Sequence, residues 1–262
     1  MESKKNVFPR TFDEATSLQD YLNIYQIKND TKPNVVAIPS GKWYIPQDKY
    51  EEFLHIYAKE INKLNNYYVE RPGRNNAFPI IVDLDFTIDE VWYNSDVRVY
   101  DDFINEFLYD MSTEIYKDLN TPVKFYLLEK HKASLTRYKN KYKDGVHIIF
   151  PDIIVKKEYQ LYLREKILKK KWKNEFSNFG GDKVYDKCVL TDPKWTLYGC
   201  MKEDGTLYTV TKGWKLLCDG YKPYMEKINI NNFRKDKFIK IMSINFRSEI
   251  FIDEEKMEYV IT

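Results

Sequence analysis

The sequence predicts an α+β fold, and three observations carry that prediction. Short stretches hold apolar residues in alternation or in unbroken runs, the pattern of strands. Longer stretches space them three and four apart, the pattern of one helix face. The two kinds of stretch are mixed along the chain, as in a sheet partly covered by helices. With 262 residues, 43% of them hydrophobic, the chain can bury a substantial core in one large or two small domains.

Residues 34–46, NVVAIPSGKWYIP, read as two short strands around a turn at Ser40-Gly41. Pro46 then opens a helix in which Tyr50, Phe53, Leu54, Tyr57, Ile61 and Leu64 recur at helical spacing. A short strand at 67–70 and the loop Arg71-Pro72-Gly73-Arg74 lead into PIIVDLDF at 79–86, which reads as a buried strand. A helix over about 100–119 carries Phe103, Phe107, Leu108, Met111, Ile115 and Leu119 on one stripe. VKFYLLEKH (123–131) reads as a strand, and the basic loop SLTRYKNKYKDG joins it to another strand, VHIIFPDIIV. A long basic helix is expected at 157–177, strands at VYDKCVL and WTLYGCMK, and a last helix near 233–243. No internal repeat or low-complexity linker interrupts the pattern.

Composition narrows the function classes. Net charge is +2, so any basic surface for nucleic acid must be local. Aromatic residues make up 16% of the chain, enough to serve both a core and base stacking. Cys188, Cys200 and Cys218 lack metal-ligand spacing and only three His are present, which argues against a zinc site and for free thiols in a reducing compartment. No apolar run reaches membrane-span length and the start, MESKKNVFPR, is too polar for a signal peptide, so the expectation is an intracellular protein with no membrane partner.

The acid-bearing strand raises the chemical question. Alternation sends Ile80, Val82, Leu84 and Phe86 to a core and Ile81, Asp83, Asp85 and Thr87 to the other face. Asp83 and Asp85 then stand roughly 6.5 Å apart along that face. Two carboxylates so close repel, and partial burial makes their ionisation costlier. A solvated strand face can carry Asp-x-Asp with no partner. The chemical alternative is a divalent cation between them, and Mg²⁺ is held by one or two carboxylates plus substrate phosphates.

Two further signals follow. In KDGVHIIFP, Gly145, His147 and Ile149 share one strand face, and the small Gly145 leaves room for something to approach His147. His147 is either a satisfied structural histidine or an imidazole that donates to a phosphate. In VYDKCVL, Asp186 is another acid among apolar residues, with Asp182 and Asp192 as nearby rivals. The flanks Val184 and Val189 favour Asp186, placed on a strand beside the acid-bearing one and within about 5 Å of Asp83 or Asp85. The loop at 136–143 carries Arg137, Lys139, Lys141 and Lys143 with Tyr138 and Tyr142 between them, a pattern that fits a template backbone with stacking tyrosines or a solvated loop. The KKKWK end of the basic helix reads as a solvated face.

In their order, these motifs resemble the archaeo-eukaryotic primase superfamily. IIVDLDF is similar to its first motif, GVH to its second and VYD to its third. YKDGVHIIFPDI and WTLYGCMK are closer still to the N-terminal primase domain of helicase-primases of large DNA viruses of eukaryotes, and GKWYIP and IMSINFRSE extend the resemblance over residues 34–248. It departs from the pattern at Gly145 and Cys200, where Ser is common, and neither change removes a charge. The resemblance implies a two-part α/β core with an RNA-recognition-motif-like catalytic sheet over residues 1–250, and a tail or linker at 251–262 toward a possible helicase region. It implies metal ligation and catalysis by Asp83, Asp85 and Asp186, with two Mg²⁺ or Mn²⁺ ions and no zinc. It implies nucleotide contacts at His147, Gly145 and Lys202, a single-stranded DNA template, nucleoside triphosphates as substrates, and a replicative helicase in the same or a separate chain. The activity implied is a DNA primase or primase-polymerase that makes or extends primers, at a viral replication site in the cytoplasm or nucleus. No G-x-x-x-x-G-K-[ST] loop occurs in this stretch. Two other readings remain open on the residues alone: a different Asp-x-Asp metal-dependent transferase, and a non-catalytic nucleic-acid-binding module of a replisome.

Overall fold

The structure is a computed structural model that describes residues 17–27, 31–63, 67–73, 76–131, 136–138, 141–202, 204–218 and 222–247. In chain order it begins with α1 (Leu18–Ile24), β1 (Val35–Ile38), β2 (Lys42–Trp43), α2 (Tyr50–Glu60) and β3 (Tyr67–Glu70). There follow β4 (Ala77–Ile88), α3 (Glu90–Asn94), α4 (Ile104–Leu119), β5 (Val123–Lys130), β6 (Thr136–Tyr138) and β7 (Lys141–Lys156). Next are α5 (Lys157–Ile167), a π turn (Leu168–Trp172), α6 (Lys173–Glu175), α7 (Cys188–Thr191) and β8 (Trp195–Thr196). The described chain closes with β9 (Tyr208–Cys218), β10 (Pro223–Lys227) and α8 (Lys235–Met242).

The strands form two antiparallel sheets, so the fold is α+β. The smaller has the order β2-β1-β3-β8, and the larger β10-β9-β5-β7-β4, with β6 paired to β7. In the larger sheet β4-α4-β5 straddles β7, and β7-α5-β9 straddles β5. Such split β-α-β units let every strand pair antiparallel while the helices cover one face. α4 covers it because Ile104, Phe107, Leu108, Met111 and Ile115 form its buried stripe, and the helix stops at Asn120 in the left-handed conformation (φ 48°). Ile80, Val82, Leu84 and Phe86 of β4 and Val146, Ile148 and Phe150 of β7 belong to this core. A second core beside the smaller sheet gathers α1, α2, Trp43, Tyr68, Leu197, Cys200 and Ile239 of α8.

Several expectations are corrected. VYDKCVL is not a strand: only Tyr185 bridges to Leu84, after which the Cys188 N–H donates to the Asp186 carboxylate (2.8 Å) and the chain turns into α7. A short Asp side chain that bonds the backbone two residues on initiates a helical turn and ends pairing. WTLYGCMK pairs only at Trp195–Thr196, and Gly199 at φ 86° turns the chain away. Within the basic loop, Thr136–Tyr138 pairs as β6 with Lys141–Lys143, and Tyr142 and Lys143 pair in turn with Ile88 and Thr87, which lengthens β7. The helix at 157–177 is broken at the π turn, where Lys170 leaves helical geometry (ψ −148°). The sequence pattern gives no signal for α1, β9 or β10; in β9, Lys212 and Lys215 break up the apolar positions. The expected tail at 251–262 lies outside the described residues.

Candidate active site

The acids of β4 emerge on the face opposite the helices. Asp83 and Asp85 are half-buried while their even-numbered neighbours are fully buried. β4 is the last strand of its sheet, so its outer backbone edge is free to bond another segment. The Asp85 N–H donates to the Val184 carbonyl (2.8 Å), and the Asp186 N–H donates to the Asp83 carbonyl (2.9 Å). Those two bonds deliver Asp186 to the acids. One carboxylate oxygen from each of Asp83, Asp85 and Asp186 lies within 4.8 Å of the other two. Neither rival acid joins this cluster: Asp192 pairs with Lys194 (2.8 Å) and Arg71 (3.7 Å), and Asp182, whose backbone carbonyl accepts from Arg164 (2.6 Å), lies outside it.

Electrostatics at the cluster call for a cation. Asp83 Oδ1 is buried and has no hydrogen-bond partner among the described residues. Burial, with Asp85 and Asp186 adding repulsion, holds the Asp83 carboxyl well above the usual carboxylate range, against the pull of Lys202 and Lys130. Three oxygen donors at this spacing suit a hard divalent ion, and the orphaned oxygen points to the same fit.

Cross-strand pairing adds the histidine. In an antiparallel pair, directly opposed residues share a face. His147 of β7 stands opposite Asp83, and Gly145 opposite Asp85. His147 Nε2 lies 3.6 Å from Asp83 Oδ1, too long for a hydrogen bond. The imidazole is stacked on Tyr208 (3.7 Å, 12°) and leans on Trp195 (4.7 Å), so the smaller sheet, through β8, fixes it from one side and β9 from the other. Burial, then Lys202 and Lys130, keep its pKa well below the ordinary value, so it is neutral. Gly145 does not open a path to it. A Cβ there would meet the Leu84 carbonyl at 2.7 Å and Asp85 Oδ1 at 2.9 Å, so the glycine lets β4 and β7 approach.

Two ammonium groups face the acids. Lys202 lies 5.3 Å and Lys130 6.0 Å from the Tyr208 ring centre. Lys130, Tyr208, Trp195 and Arg164 were not singled out from the sequence. The signal available for Lys130 was a charged residue at the end of the apolar run VKFYLLEK; Tyr208 sat in an unrecognised strand. Arg164 on α5 is buried and donates to the Tyr185 carbonyl (2.9 Å) as well as to Asp182, so it holds the segment that carries Asp186. Among the basic-loop residues, Lys141 and Lys143 are exposed at the start of β7, and Lys143, opposite Thr87, continues the acid-bearing face. Arg137 of β6 is registered opposite Tyr142, and Lys139 lies outside the described residues.

A family model described as the C962R protein N-terminal AEP domain matches residues 34–214. The chain belongs to this archaeo-eukaryotic primase family. The match spans both sheets through β9 and includes every member of the acid and histidine cluster. The same primase-type chain is 26% identical over 223 residues to an Acanthamoeba polyphaga mimivirus protein named "Putative helicase L207/L206". That alignment covers 77% of this chain and 22% of the relative, so the chain spans about a fifth of the viral protein's length. At the family level the matched domain is of the primase type. No helix among the described residues is long and apolar enough to cross a membrane.

Proposed function

We propose that this chain catalyses template-dependent nucleotidyl transfer, making or extending primers on single-stranded DNA from nucleoside triphosphates. The observation that carries the reading is the convergence of three carboxylates, one with an orphaned buried oxygen, beside a neutral histidine and two lysines. Asp83, Asp85 and Asp186 would hold Mg²⁺ or Mn²⁺, as two ions. Bound there, the ions would offset the carboxylate charge and stabilise the attacking and leaving oxygens of the displacement. In that displacement the primer 3′-oxygen forms a bond to the α-phosphorus, and the bond to the departing pyrophosphate breaks.

The chain's own residues supply position and charge. Lys202 and Lys130, on the same face as the acids, would neutralise the triphosphate's negative charge. His147, clamped between Tyr208 and Trp195, has one N–H to donate to a phosphate oxygen while it stays neutral. Arg164 keeps Asp186 in reach by bonding the carbonyls on either side of Val184. Arg137, Lys139, Lys141 and Lys143 would follow the template backbone. A replicative helicase, in the same or a separate chain, would present that template.

Primer extension and de novo synthesis on a single-stranded template, with Mg²⁺ and with Mn²⁺, test the reading. Asp83→Ala abolishes addition at any nucleotide concentration and leaves template binding intact. His147→Ala weakens triphosphate binding by about 1.5–3 kcal/mol, the contribution of one donor to a charged group, and is partly rescued by high nucleotide. Extension by Asp83→Ala at the wild-type rate would overturn the mechanism.

A further inference from the structure

The strand order puts cations on both sides of the acid cluster. Across the sheet face lie Tyr208 on β9, Lys130 on β5, His147 on β7, and Asp83 and Asp85 on β4. Asp186 comes last, on the segment bonded to the free edge of β4. Lys130 and Lys202 occupy the inner side. On the outer side, an open cavity of about 610 Å³ is lined by Arg164, Lys169, Lys173, Lys183, Lys187 and Asp186.

The fold sorts the basic run KKKWK into two sets. Lys170 bonds Glu114 (2.8 Å) and Lys171 pairs with Glu106, both on α4. Lys169 and Lys173 flank the kink at Lys170 and line the cavity instead. Neither has an ion-pair partner among the described residues, and neither do Lys183 and Lys187. Arg164 is already committed, to Glu165 (2.7 Å) and to the Tyr185 and Asp182 carbonyls. Glu165 is thereby matched. Four free ammonium groups are left to face Asp182 and Asp186, and in the reading above Asp186 is a metal ligand.

We propose that this cavity seats the phosphodiester backbone of a single nucleic-acid strand and leads it to Asp186. The inference rests on the nucleotidyltransferase reading and adds a strand path to it. Two features favour a backbone over the other anions of the reaction. The compact triphosphate already has its cations on the inner side, at Lys202 and Lys130. The cavity lining contains no aromatic side chain, so it offers bases nothing to stack on, whereas lysines spread over a helix and a loop suit a line of phosphates. Contact of that kind is independent of base sequence.

Fluorescence anisotropy of labelled oligothymidylate and oligoadenylate, titrated with the full chain over a range of salt, tests the assignment. Lys169→Gln/Lys173→Gln and, separately, Lys183→Gln/Lys187→Gln each raise Kd about tenfold at low salt on both oligonucleotides. Each pair also lowers the slope of log Kd against log salt by about 1.4, two phosphate contacts at about 0.7 each. The control Lys42→Gln/Lys59→Gln, with the same charge change on β2 and α2, alters neither. Nucleotide binding, read as the rise in Tm with Mn²⁺ and triphosphate, is unchanged in both cavity pairs. Wild-type Kd and slope in either pair, with circular dichroism confirming the fold, overturn the proposal; should one pair fail to fold, the other decides. A wild type that adds no nucleotide, beside cavity pairs that still lose strand binding, removes the assigned reaction and leaves the strand site standing.

Discussion

At Asp83 and Gly145 the site is set by a single backbone approach. β4 and β7 must come close enough for Asp83 to face His147, and the carbonyl of Leu84 occupies the space a side chain at 145 would need. Gly145→Ala therefore forces backbone, not a flexible side-chain tip, to move. We expect a loss of about 1–3 kcal/mol, the usual cost of overpacking, read as a lower midpoint in denaturant. Nucleotide addition falls with it, because Asp85 Oδ1 is the second atom displaced. Wild-type stability in this variant would mean the strands separate there at no cost. The sequence marked Gly145 as special but gave the wrong reason for its size: alternation tells which face a residue takes, not what stands across from it.

At the level of elements, the segment 182–186 depends on α5. It carries Asp186 yet pairs with β4 only at Tyr185, so its position is held mainly by two backbone bonds to β4 and by the Arg164 guanidinium. Arg164→Ala leaves two carbonyls without a donor, at about 1–3 kcal/mol each, for a total of roughly 2–6 kcal/mol. Mn²⁺ affinity, measured by calorimetry, weakens as well, since Asp186 loses its brace. Arg164→Lys does not restore either quantity, because one ammonium cannot replace a planar fork spanning two carbonyls. Unaltered metal affinity in a folded Arg164→Ala variant would show that the β4 bonds suffice. The helix pattern placed Arg164 on a basic helix but could not separate it from its neighbours: a buried arginine and a solvated one look alike in a run of Lys, Arg and Glu.

For the whole molecule, Glu70 ties β3 of the smaller sheet to α2 and to the segment that follows α8. Its buried carboxylate, at the end of β3, accepts from Tyr50, from Ser243 and from the Ile244 N–H (2.9 Å) just after α8. Burial raises its pKa to about 7 even though these donors pull it down. Since the unfolded carboxyl ionises near its ordinary value, the folded state holds the proton more tightly between about 4.5 and 7. Stability is thus greatest below that window and falls as pH rises through it, by about 3 kcal/mol once both states are ionised. Thermal melts of wild type and Glu70→Gln from acidic to mildly alkaline pH check this: the wild type loses Tm across the window and the variant lacks that component. Equal slopes would place the Glu70 pKa at its ordinary value.

The sequence by itself determined the α+β class, the buried strand with two acids on one face, and the family resemblance, because period-two alternation and short motifs are local properties of the chain. It also brought Asp83, Asp85, His147 and Asp186 forward as a set, each recognisable from its immediate neighbours. Only the tertiary structure decided that Asp186 reaches the other acids through the free edge of β4, a backbone contact about a hundred residues distant in sequence. It alone clamped His147 between Tyr208 and Trp195, residues from two different sheets. It also divided one lysine run between salt bridges to α4 and an open cavity, since the break in helical geometry at Lys170 leaves no trace in the spacing of charges.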